Sequence, residues 1–255
     1  MKLTVLGSGT SSGVPVVGCR CGVCTSLHPK NKRWRCSCLF EVEDKKILVD
    51  MGPDLRNQAL TFNINRIDAV LVTHIHADHI LGIDELRIYN VYQKAAIPLF
   101  GHQTHLDYIK NMFQYIFDPQ RKYPSLVPHL TLTPVEGLFH IGAIPVQMIP
   151  CAHGDAGPTY NYRVGDIAWL CDTNGIPETS FDLLKNLDTL FIDGLRSNPH
   201  PTHFTINEAI SVAQRIGAKK TWFIHLTHEY DHDLFNTTLP EGFALAYDGL
   251  CIEVP

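Results

Sequence analysis

The chain has 255 residues, 45% of them hydrophobic and 18% charged, and Lys+Arg 21 against Asp+Glu 26 leaves a net charge of −5. That length suits one layered α/β unit whose core needs no disulfides, and the acidic balance argues against a broad nucleic-acid-binding surface. No apolar run reaches the roughly 18 residues of a membrane span, and Met1–Gly7 is too short an apolar stretch for a signal peptide. Membrane and secreted classes are thereby excluded, and a reducing, cytoplasmic setting is expected.

In chain order, a strand at Leu3–Leu6 runs into the Gly-rich turn Gly7-Ser8-Gly9-Thr10. Leu39–Glu43 and Ile47–Val49, about the polar turn Asp44-Lys45-Lys46, form a hairpin pattern. Pro53 to Phe62 has helical character, with Pro53 suited to a first turn. The apolar strand Asp68–Thr73 ends on a histidine cluster, and helical patterns follow at Ile80–Tyr89 and Leu106–Phe117. Strands are predicted at Ala143–Ile149, Tyr160–Val164, Ile167–Cys171 and Leu190–Asp193. The helix Thr205–Ile216 closes at Gly217. Thr221–His225 is a further strand ending on histidine, and Phe243–Tyr247 and Leu250–Val254 complete the pattern. No repeat, low-complexity tract or linker interrupts the chain, so residues 1–255 read as a single domain. Strands interleaved with helices favour sheets covered by helices, an α/β (α+β) class.

The 14 His and 8 Cys are grouped. His74-Ile75-His76-Ala77-Asp78-His79 follows the strand Asp68–Thr73 directly. In an extended turn alternate residues point the same way, so His74 and His76 can share one metal. Asp78 and His79 then project from the next helix toward a second. Further candidates stand at later strand ends: His153, Asp172, whose carboxylate can bridge two metals, and His225. Separately, Cys19, Cys21 and Cys24 place three thiols within six residues, on a loop at about 18–25. Tetrahedral zinc takes four such ligands, with thiolates at about 2.3 Å. His228, three residues beyond His225, is the candidate for the fourth place. Cys36 and Cys38 read as small buried residues and Cys151, Cys171 and Cys251 as core. His102, His105, His129, His140 and His232 have no ligand spacing and read as surface residues.

These residues carry a family resemblance. His74, His76, Asp78 and His79 match the ligand motif of the metallo-β-lactamase-fold hydrolases, and His153, Asp172 and His225 follow in the family's order. The resemblance implies an αββα sandwich of two mixed β-sheets flanked by helices, with metals at one edge. Asp50 looks like the family aspartate that orients a histidine ligand. The Cys loop with His228, and the opening Gly7-Ser8-Gly9-Thr10-Ser11-Ser12-Gly13-Val14-Pro15, are similar to the PhnP branch of cyclic phosphodiesterases. That branch implies one structural Zn2+ and a catalytic pair of divalent cations, Mn2+ or Zn2+. His74, His76 and His153 would hold one cation and Asp78, His79 and His225 the other, with Asp172 bridging.

A metal-bridged hydroxide would then open a small cyclic phosphodiester, 5-phosphoribosyl 1,2-cyclic phosphate, to ribose 1,5-bisphosphate. His203, just before the helix Thr205–Ile216, resembles the branch's non-ligand histidine and would be general acid or oxyanion stabiliser. His200 is its rival. Arg196 and His200 are candidates to face substrate. A transfer-RNA-processing nuclease of the tRNase Z type shares the ligand set, but no Gly/Lys-rich arm is present to grip RNA. A non-catalytic metal-binding or carrier protein resembling PqqB is the alternative from another class, and the seven filled ligand positions argue against it. A homodimer is compatible with the sequence, although no exposed stripe marks its interface.

Overall fold

The computed structural model describes residues 1–120 and 126–254. Two seven-stranded sheets face each other. The first runs in the order β14 (Cys251–Glu253), β1 (Lys2–Gly7), β2 (Ser37–Val42), β3 (Lys45–Val49), β4 (Ala69–Leu71), β5 (Ile97–Gly101) and β6 (Leu130–Pro134). The second runs β13 (Phe243–Leu245), β12 (Lys220–Ile224), β11 (Thr189–Asp193), β10 (Ile167–Leu170), β9 (Thr159–Val164), β8 (Ile144–Cys151) and β7 (Leu138–Ile141). Each sheet is mixed. The β14-to-β3 pairings are antiparallel and the β3-to-β6 pairings parallel. Likewise β7 to β10 pair antiparallel and β10 to β13 parallel.

Burial explains the layering. Ile47 and Val49 point inward with Leu3, Val5 and Phe40, against Val146, Met148, Tyr162, Trp169 and Phe191 of the other sheet. Leu48 and Val70, on the opposite face, are equally buried under helices. A strand covered on both faces reads as a continuous apolar run, which is how β3 and β4 appear. The helices α2 (Leu55–Thr61), α3 (Ala77–Ile80), α4 (Leu86–Gln93), α5 (Gln103–Met112) and α6 (Gln114–Phe117) follow strands of the first sheet. Their buried residues, among them Leu55, Ile80, Leu86, Leu106 and Ile116, form its outer cluster. On the second sheet, α7 (Glu178–Phe181), α8 (Ile206–Ile216) and α9 (His232–Asn236) take that place. The short α1 (Gly22–Thr25) lies in the long connection from β1 to β2. No helix among the described residues is long and apolar enough to cross a membrane.

Several expectations need correction. The helix expected over Ile80–Tyr89 is broken into α3, a 3-10 turn at Ile83–Glu85 and α4. Gly82 packs so tightly on the preceding connection that a β-carbon there would lie 2.0 Å from the Gly52 carbonyl oxygen. The pattern at Leu106–Phe117 is two helices, with a non-helical Phe113 between them. Cys251, expected in the core, is exposed on β14, which has only β1 beside it in the sheet. His105 and His232, expected at the surface, are buried.

Candidate metal centre

The parallel pairing of β3 with β4, and of β10 with β11 and β12, brings their carboxyl-terminal ends to one edge of each sheet. Asp50 follows β3, His74 lies just beyond β4, Asp172 just beyond β10, and His225 follows β12. Asp50, Asp172 and His225 have φ of 60°, 49° and 59°. A side chain is disfavoured in this left-handed region, at a cost of about 1–3 kcal/mol each, so the surrounding contacts must hold it there.

Two donor sets converge between the sheets. In the first, His74 Nε2 lies 3.1 Å from His76 Nδ1, His153 Nε2 3.4 Å from the same atom, and Asp172 Oδ2 3.5 Å from His74 Nε2. In the second, His79 Nε2 is 3.2 Å from Asp78 Oδ2 and 3.4 Å from Asp172 Oδ1, while His225 Nε2 is 3.3 Å from Asp172 Oδ1. Asp172 thus gives one oxygen to each set. Nitrogen ligands about 2.0–2.1 Å from a tetrahedral centre stand about 3.3 Å apart, which these spacings match. Asp78 Oδ2, His79 Nε2, Asp172 Oδ1 and His225 Nε2 are buried without a hydrogen-bond partner. Four such orphans in one place are hard to sustain in a folded protein unless a cation satisfies them. The residues therefore fit divalent-ion binding.

Neighbouring groups fix the tautomers. Asp50 accepts from Thr73 N at 2.9 Å and Thr73 Oγ1 at 2.7 Å, and its Oδ2 lies 2.7 Å from His79 Nδ1. With its hydroxyl proton given to Asp50, Thr73 Oγ1 accepts from His74 Nδ1 at 3.0 Å. One carboxylate therefore turns two imidazoles so that their Nε2 lone pairs face the centre. His153 Nδ1 donates to the Thr202 carbonyl at 2.7 Å, leaving its Nε2 bare as well. Burial pushes His153 down to about 3, so its ring is neutral and able to ligate. Burial opposes ionisation of Asp172, but His225, His79 and His74 outweigh it and hold the carboxyl well below its usual range.

A thiolate set joins this stretch of chain through His228, three residues beyond His225. Sγ of Cys19, Cys21 and Cys24 each lie 3.4 Å from His228 Nδ1. Around a tetrahedral zinc, sulfur and nitrogen ligands would stand about 3.6 Å apart, so all four fit one ion. The backbone N–H of Cys24 donates to Cys21 Sγ and brings that thiol down to about 6. Burial pushes Cys24 up to about 11.

His203 comes to the edge of this cleft. Its ring stacks on His225, with centroids 4.8 Å apart, and stands edge-on to His153 at the same distance. Its Nδ1 is 2.6 Å from Oδ2 of the fully buried Asp193, which also accepts from Thr173 N. Two residues on, a capping box between Thr205 and Glu208 starts α8 and fixes the chain behind His203. His200 lies 5.0 Å from His203, ring to ring, with Nδ1 turned to Thr202. Arg196, a candidate to face substrate, gives its guanidinium to the Asn198 and Pro199 carbonyls of its own loop. Asp193 went unnoticed in the sequence, although it ends an apolar strand just as Asp172 nearly does.

Residues 45–226 match the Beta-lactamase superfamily domain. A solved structure described as a new diphosphatase from the PhnP family superposes with a TM-score of 0.92 at 39% identity, covering 100% of this chain and 98% of that one. The chain belongs to the metallo-β-lactamase superfamily, in its PhnP-like branch. Its fold is that of the metallo-β-lactamases, and it is related to the PhnP family. An octanoyltransferase of Porphyromonas gingivalis is 38% identical over 255 residues, 98% of this chain and 51% of that protein. The PhnP-like chain thus spans about half the length of that relative. Zn(2+)-bound PqqB from Methylobacterium extorquens has a TM-score of 0.78 at 17% identity, covering 100% of each chain, and shares the fold.

Proposed function

We propose that this PhnP-like hydrolase cleaves a small cyclic phosphodiester, with 5-phosphoribosyl 1,2-cyclic phosphate opened to ribose 1,5-bisphosphate as the leading substrate. The observation that carries the reading is the division of Asp172 between two donor sets, in the second of which Asp78 Oδ2, His79 Nε2, Asp172 Oδ1 and His225 Nε2 are buried and unpartnered. His74, His76 and His153 would hold one cation, Asp78, His79 and His225 the other. When bound, such a pair supplies Lewis acidity at the phosphoryl oxygens and lowers the pKa of water.

The chain's own residues then manage protons and orientation. As water oxygen bonds to phosphorus, the bond from phosphorus to the sugar oxygen breaks, and that oxygen needs a proton. His203 would supply it from Nε2, since Nδ1 is committed to Asp193. His200, whose ring lies 5.0 Å from that of His203, is the rival for that role and would otherwise face the substrate. The imidazole–carboxylate sets accept Mn2+ or Zn2+, whereas the thiolate set selects Zn2+. Eight free cysteines agree with a reducing, cytoplasmic setting.

A second reading follows from the 39% identical relative described as a diphosphatase: the same groups would serve hydrolysis of a phosphoric anhydride. Phosphorus NMR of manganese-loaded protein separates the two. Loss of the cyclic signal with a new phosphomonoester supports the first reading. An unchanged cyclic ester, with diphosphate signals collapsing to phosphomonoester, supports the second. Asp172→Ala should lower either turnover by at least about 10³-fold, and turnover indifferent to that change would reject the two-ion reading.

A further inference from the structure

His225 and His228 stand three residues apart on the segment after β12, one in the second donor set of the cleft and one in the thiolate set. His225 holds its left-handed backbone only because its surroundings over-determine it. Leu226 N donates to Ser8 O at 2.9 Å, Thr10 N to Leu226 O at 3.1 Å, and Thr227 N to Leu195 O at 3.1 Å. Arg33 adds two more ties. Its Nη1 donates to Thr227 O at 3.0 Å and its Nη2 to Tyr230 O at 2.7 Å, so the pair of bonds straddles His228.

Arg33 is 1% exposed, and no ion pair joins it to a carboxylate among the described residues. Burial pushes its guanidinium down to about 10, which leaves it charged at neutral pH. A buried cation held for two carbonyls is costly, and the rigid planar guanidinium reaches them through separate nitrogens, a spread that the single nitrogen of an ammonium lacks. The backbone of Arg33 faces the other way. It exchanges both hydrogen bonds with Val14 at 2.8 Å. Val14 leads into the cysteine loop, where Val16 N donates to Cys24 Sγ at 3.3 Å and Cys19 N to Val16 O at 3.0 Å. Gly9 makes the approach possible, because a β-carbon there would sit 2.9 Å from Arg33 Cβ.

We propose that Arg33 is a positioning residue that couples the two kinds of metal site. An ion on Cys19, Cys21, Cys24 and His228 tightens the segment that Arg33 clamps, and so raises the affinity of Asp78, His79 and His225 for theirs. The coupling is reciprocal. It rests on the reading of both donor sets as metal sites.

The test loads wild type, Cys21→Ser and Arg33→Lys with Co2+ and dialyses each against graded concentrations of a weak chelator. Retained ions are counted by mass spectrometry, the thiolate–cobalt charge-transfer band reports the cysteine site, and thermal unfolding reports folding. Wild type should retain three ions per chain, and Cys21→Ser one rather than two at the same chelator strength. Arg33→Lys should keep its four thiolate-site ligands, yet release an ion of the cleft at about tenfold lower chelator concentration. Cys21→Ser retaining two ions with wild-type affinity, or Arg33→Lys indistinguishable from wild type in both sites, overturns the coupling. A folded wild type that retains no cobalt rejects the metal reading itself. Should Cys21→Ser fail to fold, the Arg33→Lys comparison still decides.

Discussion

His105 and His232 are buried histidines outside both donor sets, and burial pushes each down to about 4. An unfolded histidine titrates near 6.5. The folded value is the lower one, so the unfolded chain binds the proton more tightly. Their contribution is fully present above about pH 6.5 and lost as pH falls toward 4. The melting temperature should therefore drop between pH 7 and 4.5, and His105→Gln should flatten that drop by the equivalent of about 2 kcal/mol. A pH profile unchanged by the substitution would place the acid sensitivity elsewhere. These two residues also mark where a sequence stops informing. The spacing of His74, His76, Asp78 and His79 is local, so a strand end followed by a helix start exposes it directly. The burial of His105 depends on Tyr160, whose ring lies 5.2 Å away from a strand of the other sheet, and no local pattern encodes that. Asp193 is a comparable case, since its meaning lies in His203, ten residues on.

Among elements, α3 is bounded by glycines that lie hard against backbone. A β-carbon on Gly52 would lie 2.1 Å from the Asp78 carbonyl oxygen, and one on Gly82 would lie 2.0 Å from the Gly52 carbonyl oxygen. Both contacts are with backbone, which cannot swing aside as a side chain does. Gly82→Ala should lower the melting temperature by about 10 °C and weaken metal retention, because Asp50 and Asp78 flank the displaced backbone. Melting within a degree of wild type would show that the connection can yield. The same crowding explains why an uninterrupted helix over Ile80–Tyr89 was expected: its apolar spacing continues through Gly82, while the reason for the break sits thirty residues upstream. β5 and β6 were missed for other reasons. Pro98 interrupts the first, whereas Leu130-Thr131-Leu132-Thr133 carries the alternation of a half-buried strand and was readable as one.

At the scale of the whole molecule, both sheets contribute ligands to the same edge, His74 and His79 following strands of one and Asp172 and His225 those of the other. Ions held there would tie the layers together. Removing them with a strong chelator should lower the melting temperature by more than about 10 °C, since each tight site adds about 4 kcal/mol when ligand stands a thousandfold above its dissociation constant. An apo protein that melts with the holo form would confine the ions to chemistry alone. The sandwich itself was legible through its family motifs and its alternation of strands and helices. The strand order was not, because register is decided by packing between segments far apart in the chain. β14 beside β1 is the extreme case, pairing Glu253 with Lys2.

The left-handed backbone at Asp50, Asp172 and His225 has a consequence for descent. Glycine would occupy each of those positions without strain, so the ligand side chains there are kept against a standing pull toward their own loss. A lineage released from selection at this site should drift first at these three positions, toward glycine or asparagine. His74, His76 and His153, which carry no such tension, should outlast them as relics of the vanished site.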